Sequence, residues 1–309
     1  NYATQNSTSR LLFKTTTPQM RIVIYHNSAT GHTLYQAQKI KAEMLRQRPL
    51  WSVDLVWVHP ILNRSKQGKS YQQPDYDAFI IGSWVNCLII DSGMDKFIKM
   101  VNFNNKPVAS FTTHCGLSGV SGLQLQNMIN RTGQFVGNLN CKYVSNHFDK
   151  PQNGKAKTIN PLIFQKIPGF VLTFVQSIET QTKAKRLNAL LWLVLSFMIG
   201  LMKTLRPALT QHVAGKVMKV ETGKCIGCMK CVNECPNRVF EAENDKAKVA
   251  NPKDCTKCLG CVQRCPNRAI TSVDGKLDNF QPYKFQECFI NEQKGWVEIE
   301  KLQQDFMKK

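Results

Sequence analysis

Acidic residues are scarce in this sequence, and the first 42 residues contain none. The 309-residue chain carries 21 Asp and Glu against 41 Lys and Arg, which gives a formal net charge of +20. A surface of this sign attracts anionic partners. By charge alone, nucleic acid, anionic lipid and an acidic protein all qualify, and the motifs below give no reason to expect nucleic acid.

The sequence also lacks the glycine fingerprint G-x-G-x-x-G and a Walker loop. No sequence motif therefore supports direct NAD(P)H binding or phosphoryl transfer. No secretory apolar stretch is present, and Asn1–Lys14 is rich in Ser, Thr and basic residues. That composition is typical of an organelle transit peptide or its cleaved end, with an ordinary polar tail as the alternative. We expect residues 1–20 to form a basic extension, and we expect the protein in a mitochondrion or related organelle, or otherwise in the cytoplasm.

One unusual segment, Leu187–Met202, has 16 mostly apolar residues and carries no charge. At a rise of about 1.5 Å per residue this run reaches about 24 Å, so a membrane span is not favoured. Only Asn188 and Ser196 are polar in it, so as a helix it should be buried nearly all round. Three coverings stay open: this chain, a partner protein or an anionic membrane.

Strand-like and helix-like stretches alternate through the first half of the chain. Strands are predicted at Arg21–His26, Trp51–Val58, Asp77–Ser83, Pro107–Thr113 and Gly133–Val144. Helical spacing begins at Leu34 and recurs at Met94–Val101 and Leu123–Asn130. This alternation predicts an α/β domain at residues 21–149, with a doubly wound parallel sheet.

The remaining chain changes composition twice. Residues 150–215 contain one acid, Glu179, and read as a basic, apolar helical linker. We predict helices there at Pro168–Ser177 and Thr182–Leu205, the second ending before Pro207. Residues 216–273 contain two copies of one cysteine motif, and 274–309 form a tail with a predicted helix at Glu292–Met307.

The cysteine motif is C-x2-C-x2-C-x3-C-P, and each cysteine of the second copy follows its counterpart by 30 residues. The first copy holds Cys225, Cys228, Cys231 and Cys235, and the second holds Cys255, Cys258, Cys261 and Cys265. Three thiolates of one tight loop reach three irons of a cubane, but the fourth ligand must come from elsewhere. Zinc also takes four cysteines, yet the doubled spacing with both prolines favours iron–sulfur clusters in a reducing compartment.

Residues 216–273 resemble the bacterial-type ferredoxin with two [4Fe–4S] clusters, an α+β domain. The resemblance implies that the fourth ligands cross over between the copies. One cluster is then held by Cys225, Cys228, Cys231 and Cys265, and the other by Cys255, Cys258, Cys261 and Cys235.

The loop between the first predicted strand and helix is built of small and polar residues. Its candidate ligand-binding residues are Ser28, Thr30, Gly31, His32 and Thr33. Backbone N–H groups and hydroxyls in such a loop surround a phosphate at the positive end of a helix. The stretch IYHNSATGHTLYQAQKI is similar to the phosphate loop of flavodoxins, with His32 where that family usually has Asn.

Two further loops match positions at which flavodoxins flank the isoalloxazine ring. They contain Ser83, Trp84, Thr113, His114, Cys115 and Gly116. Ligands of open α/β sheets bind at the carboxyl ends of the strands, where these loops are expected. The resemblance implies bound FMN, with a flavodoxin-like fold that holds no flavin as the alternative. Trp84 stands where the family often has Pro.

The other cysteines carry no ligand spacing. Cys87, Cys141 and Cys288 are expected to be buried free thiols. His114 and Cys115 have no orienting acid in their motif, so we interpret them as loop residues that line a pocket rather than as a nucleophile and its base.

As a whole, residues 21–273 resemble fusions of a flavodoxin-like domain with a two-cluster ferredoxin. Such fusions imply an electron carrier that passes electrons between FMN and two [4Fe–4S] clusters, with redox proteins as partners. The alternative is an accessory subunit of a membrane respiratory complex that retains the clusters. An oxidoreductase acting on a quinone or other acceptor is the third hypothesis, and no catalytic residue is identified for it.

Overall fold

The computed structural model describes residues 19–66, 68, 70–143, 161–181, 189–214, 217–235, 237–275 and 277. The predicted extension at 1–20 lies almost entirely outside these residues, as do Cys288 and the predicted helix Glu292–Met307. The first ten elements are β1 (Arg21–His26), α1 (His32–Gln47), β2 (Ser52–Trp57), α2 (Val58–Lys66), β3 (Ala78–Asn86), β4 (Ile89–Ile90), α3 (Ser92–Met100), β5 (Pro107–His114), α4 (Ser121–Ile129) and β6 (Gln134–Lys142).

Five parallel strands form the central sheet in the order β2-β1-β3-β5-β6, and the short β4 pairs antiparallel with the end of β3. This order of parallel strands is that of flavodoxin-like doubly wound sheets. The strand order reverses between β1 and β3, so a crevice is expected outside the carboxyl ends of these two strands. The predicted fold class is confirmed.

The sheet is buried on both faces, and β1 shows how the sequence achieves this. Its side chains alternate, so that Ile22 and Ile24 join the core under α1 while Val23 and Tyr25 join the core under α3. All four are fully buried. An all-apolar strand of this kind is what a parallel sheet with helices on both faces requires.

The described part of the linker region contains two helices. A 3-10 turn (Pro161–Lys166) leads into α5 (Ile167–Thr180), which packs against α1 and β6. Helix α6 (Ala189–Ala214) packs against α4 and β4 on the other face of the sheet. The prediction that this helix ends before Pro207 is wrong. A proline inside a helix removes one backbone hydrogen bond and favours a kink, but the turns on either side can continue the helix.

Helix α6 also departs from the expectation of burial nearly all round. Leu195 and Ile199 are buried, whereas Leu190 and Phe197 are 74% and 70% exposed. This chain therefore covers one side of the helix only, in the part that the structure describes. None of the described helices combines the length and the apolarity that crossing a membrane requires.

The described residues of the cysteine-rich domain form seven short elements. They are β7 (Met218–Val220), α7 (Lys230–Glu234), β8 (Phe240–Glu243), β9 (Lys246–Val249), a 3-10 turn (Pro252–Asp254), α8 (Gly260–Arg264) and β10 (Ile270–Ser272). β7 pairs antiparallel with β10, and β8 with β9. Helices α7 and α8 occupy equivalent positions in the two copies and are joined by the ion pair of Arg264 with Glu234, at 2.5 Å.

Candidate cofactor sites

A cysteine of the second copy, Cys265, lies close to the thiols of the first cysteine loop. Burial, and after it the neighbouring thiols Cys228, Cys225 and Cys265, raise the pKa of the Cys231 thiol to about 11. Cys265 belongs to the second copy, yet it is close enough to Cys231 of the first copy to raise the pKa of that thiol. Its sulfur accepts a hydrogen bond from the backbone N–H of Ala269 at 3.2 Å.

The second loop shows the reciprocal arrangement. Burial raises the pKa of Cys258 to about 12, and Cys235 is the largest charged contributor after burial. Burial also raises the pKa of Cys255 and Cys261, and Cys235 adds to both shifts. Its sulfur accepts a hydrogen bond from the backbone N–H of Val239 at 3.4 Å, which matches the contact of Cys265 in the other copy.

A cavity lies among the thiols of the second loop. It is lined by Cys235, Cys255, Cys258, Cys261 and the apolar Leu259, together with Ala29 of the sheet domain. Sulfur ligands with apolar walls suit an iron–sulfur cluster, so the residues present fit the group. A site for a single metal ion is a different arrangement, because it needs several side chains around one point. In the part of the chain that the structure describes, no three His, Cys, Asp or Glu side chains form such a site.

The second loop is packed against the sheet domain. A Cβ placed on Gly260 would lie 3.0 Å from the carbonyl oxygen of Ala29. The side-chain Nδ2 of Asn86, at the end of β3, donates to the carbonyl oxygen of Thr256 at 3.2 Å. Two segments at the carboxyl edge of the sheet, the β1–α1 loop and the end of β3, therefore hold this loop in place.

The predicted phosphate loop lies at that same edge. Gly31 precedes α1 with a φ of 109°, a conformation that favours glycine, and no side chain caps the helix. The backbone N–H of Gly31 donates to Ser28 Oγ at 3.1 Å. Thr30 Oγ1 contacts His32 Nδ1 at 3.3 Å. An uncapped 16-residue helix behind a small-residue loop has the geometry that accepts a phosphate.

The other predicted flavin residues end β3 and β5, which neighbour β1 in the sheet. Cys115 and Gly116 are exposed, and Trp84 and His114 are half-buried. Burial lowers the pKa of His114. The structure thus brings all eleven predicted residues to one edge of the sheet.

Three of the predicted hydroxyls are buried and already bonded within the protein. Ser83 Oγ donates to Asp91 at 2.8 Å. The hydroxyl oxygens of Thr33 and Thr113 lie 2.9 Å apart, and either can donate. Because each threonine hydroxyl keeps further hydrogen-bonding capacity, the pair ties the phosphate loop to β5 without excluding a ligand contact.

Asp91 is not identified in the sequence analysis, and its carboxylate accepts hydrogen bonds from several segments at the carboxyl edge of the sheet. Its buried carboxylate caps α3 by accepting from the backbone N–H groups of Gly93 and Met94 at 2.8 and 3.0 Å. It also accepts from Asn27 Nδ2 at 2.6 Å, beside the phosphate loop. Burial raises its pKa despite these bonds. An Asp immediately before a helical stretch is a typical N-cap, so its capping role is recognisable from the sequence.

The sequence also offers no reason to single out His26, the last residue of β1. Its ring is 2% exposed, and among the described residues neither ring nitrogen has a hydrogen-bond partner. Burial lowers its pKa to about 3, so the ring is neutral at physiological pH.

The remaining cysteines partly follow expectation. Cys141 is fully buried, as predicted, and burial raises its pKa to about 12. The prediction for Cys87 is wrong: this residue is only half-buried, because it occupies the tight turn between β3 and β4 with a φ of 50°.

Comparison with known proteins identifies one domain from its sequence. Residues 224–270 match the family model of the 4Fe-4S dicluster domain. No curated protein matches the chain.

Solved structures similar to the chain include three flavodoxins. One is from the domain Archaea, with 16% identity over 52% of this chain and 99% of that chain and a TM-score of 0.37. The two-electron reduced Megasphaera elsdenii flavodoxin has 17% identity over 49% and 98%, with a TM-score of 0.35. The Streptococcus pneumonia TIGR4 flavodoxin has 11% identity over 51% and 99%, with a TM-score of 0.36.

The assignment of the first domain rests on its strand order. The chain combines a flavodoxin-like domain with a 4Fe–4S dicluster domain.

Proposed function

We propose that this protein is an electron-transfer protein that passes electrons between FMN at the carboxyl edge of the sheet and two [4Fe–4S] clusters. When bound, FMN exchanges one or two electrons and the clusters exchange single electrons. The two domain types support a flavin and iron–sulfur redox role. The observation that carries the proposal is the contact of Gly260 with Ala29, which joins a cluster loop to the predicted phosphate loop.

The ligand assignment in this proposal follows the crossover. Cys265 completes the first-copy site with Cys225, Cys228 and Cys231, and Cys235 completes the second-copy site. Backbone N–H groups donate to both crossover sulfurs, which stabilises thiolate ligands and tunes cluster potential.

The two sites differ in what they face, which supports an order of transfer. The second-copy site lies beside the sheet edge and therefore takes the position next to FMN. The first-copy site has an exposed ligand, Cys228, and an exposed neighbour, Ile226. We assign it the exchange of electrons with an external redox protein, for which the basic chain favours an acidic docking surface.

A matched pair of variants tests this order. Cys228→Ala removes a first-copy ligand, and Cys258→Ala removes its second-copy counterpart. After a light pulse that delivers one electron anaerobically, electron exchange between the flavin and cluster absorption bands should persist in Cys228→Ala and be lost in Cys258→Ala. Iron and FMN contents are measured on the same samples.

Two results would overturn the proposal. If wild-type protein takes up no FMN on reconstitution, FMN is not its cofactor. If both variants exchange electrons equally, the assigned order of transfer is wrong. If Cys258→Ala fails to fold, Gly260→Val serves instead, because it keeps all eight ligands while crowding Ala29. Exchange at the wild-type rate in Gly260→Val, with the two domains shown to be displaced, would equally contradict the proposal.

A second candidate is an accessory subunit of a membrane redox complex, in a mitochondrion or related organelle. The exposed apolar side of α6 favours attachment to another component. An absorption spectrum separates the two functions: flavin bands with a cluster shoulder support the carrier, and a cluster shoulder without flavin supports the accessory subunit.

A further inference from the structure

Helix α6 presents a continuous apolar face to solvent. The face consists of Leu190, Leu193, Val194, Phe197, Leu201 and Leu205, all of them exposed. At about 100° per residue these positions fall on one side of the helix. From Leu190 to Leu205 they extend over about 22 Å, at about 1.5 Å per residue.

The opposite side of α6 is anchored, so the apolar face has a fixed direction. Leu195 and Ile199 are buried on that side, where the helix packs against α4 and β4. Lys203 Nζ forms an ion pair with Asp95 at 2.9 Å, and Lys99 reaches the same carboxylate at 2.6 Å. Because these contacts hold the helix, its exposed leucines cannot turn inward without breaking an ion pair.

The charge of the surrounding chain indicates what covers this face. Residues 150–215 contain nine Lys and Arg and a single acid, Glu179. No residue of the apolar face carries a hydrogen-bonding side chain. An apolar helix face within a stretch of sequence this basic suits a surface that is negative outside and hydrocarbon inside.

We propose that the apolar face of α6 binds the surface of an anionic membrane, with the helix lying parallel to the bilayer. In that position the apolar side chains enter the headgroup boundary to a depth of about 5–10 Å. The sheet domain then sits on the membrane through its α4 side, and neighbouring basic residues contact lipid phosphates. This attachment is independent of whether the protein carries FMN.

Vesicle flotation with the full chain tests the proposal. The vesicles contain phosphatidylcholine alone or phosphatidylcholine with phosphatidylserine. The test variant is Leu193→Ser with Phe197→Ser, which removes side chains that are 67% and 70% exposed. The control is Leu50→Ser with Leu117→Ser, at 68% and 76% exposure outside this helix. Because all four side chains are exposed, both variants should fold.

Wild type and control should float with the phosphatidylserine vesicles, less so at high salt, and poorly with phosphatidylcholine alone. The test variant should lose at least about tenfold in partition coefficient, because each large apolar side chain contributes at least this much when buried. Equal flotation of the two variants, or no flotation of the wild type, would overturn the proposal. A wild-type dimer in light scattering that the test variant abolishes, without flotation, would identify a second copy as the occupant and reject the lipid.

Discussion

The two cysteine loops have the same spacing and the same local backbone but different surroundings. Met229 and Leu259 are equivalent and adopt left-handed φ values of 55° and 59°. Arg238 and Arg268 repeat this agreement at 52° and 51°. Matching sequence therefore produces matching local geometry, as expected when the same short-range contacts recur.

Burial separates the loops. Ile226 of the first loop is 62% exposed, whereas its counterpart Thr256 accepts a hydrogen bond from Asn86 of the sheet domain. Leu259 is 2% exposed, while Met229 is only half-buried. The difference teaches that two copies of one motif acquire different surroundings when only one of them is covered by a neighbouring domain.

Removing a crossover ligand should have the largest effect on the two cluster sites. Cys265→Ala should destroy the cluster of Cys225, Cys228 and Cys231, although Cys265 lies in the second copy. Iron content should fall by about half or more, and the domain should loosen, because cluster binding and folding are coupled. Electron paramagnetic resonance of the reduced protein identifies which cluster remains, with Cys235→Ala as the reciprocal control. Loss of only the second-copy signal in Cys265→Ala would contradict the crossover.

The order in which the two cluster sites lose iron should reflect their different exposure. Partial oxidation followed by a chelator is expected to empty the first-copy site before the second, because Cys228 is exposed and Cys258 is half-buried under the sheet domain. Alkylation of the released thiols, followed by mass spectrometry, reports the order. Labelling of Cys258 before Cys228 would show that burial does not protect the second site. Unfolded protein should label both cysteines alike.

Crowding the domain contact should have a moderate effect. Gly260→Val places side-chain atoms within about 3 Å of the Ala29 carbonyl, and such overpacking costs about 1–3 kcal/mol. The matched change Lys230→Val, at the exposed equivalent position of the first loop, should alter stability far less. Urea unfolding followed separately by tryptophan fluorescence and by cluster absorbance measures both. Equal losses in the two variants would mean that the contact with Ala29 does not couple the domains.

The smallest effect concerns a single hydrogen bond. Asn86→Ala removes the donor to Thr256 and leaves a carbonyl oxygen without its partner, which should cost about 1 kcal/mol in the free energy of unfolding. Ile226→Ala, at the exposed counterpart of Thr256, should change it by less than about 0.5 kcal/mol. A loss in Ile226→Ala as large as that in Asn86→Ala would indicate that the first loop is also covered.

Local signals in the sequence predict much of the fold. The strands at 21–26 and 107–113 appear almost as predicted, because their apolar runs suit a sheet buried on both faces. Helix α2 is not predicted, since among its residues of described burial only Val58, His59 and Leu62 are buried, and Pro60 lies near its start. The end of α6 is mispredicted because Pro207 is a strong local stop signal, whereas the helix continues on either side of it.

The candidate sites are predictable to the extent that their residues lie close together in the chain. The cysteine spacing and the phosphate loop are local patterns, so the sequence alone suffices to name eight candidate ligands and eleven candidate flavin residues. His26 does not stand out in it, and for Asp91 only the capping role does, because the burial of both residues and the contact of Asp91 with Asn27 depend on other segments.

The sequence by itself determined the class of each domain, the repeated cysteine loops and the apolar character of α6. These properties depend on periodicity, spacing and side-chain chemistry over short stretches. Only the tertiary structure decided that the second loop meets Ala29 and Asn86, that the first loop stays exposed, and that α6 presents one apolar side to solvent. These outcomes depend on which distant surfaces pack together, and two nearly identical loops carry no local signal that distinguishes the covered copy from the exposed one.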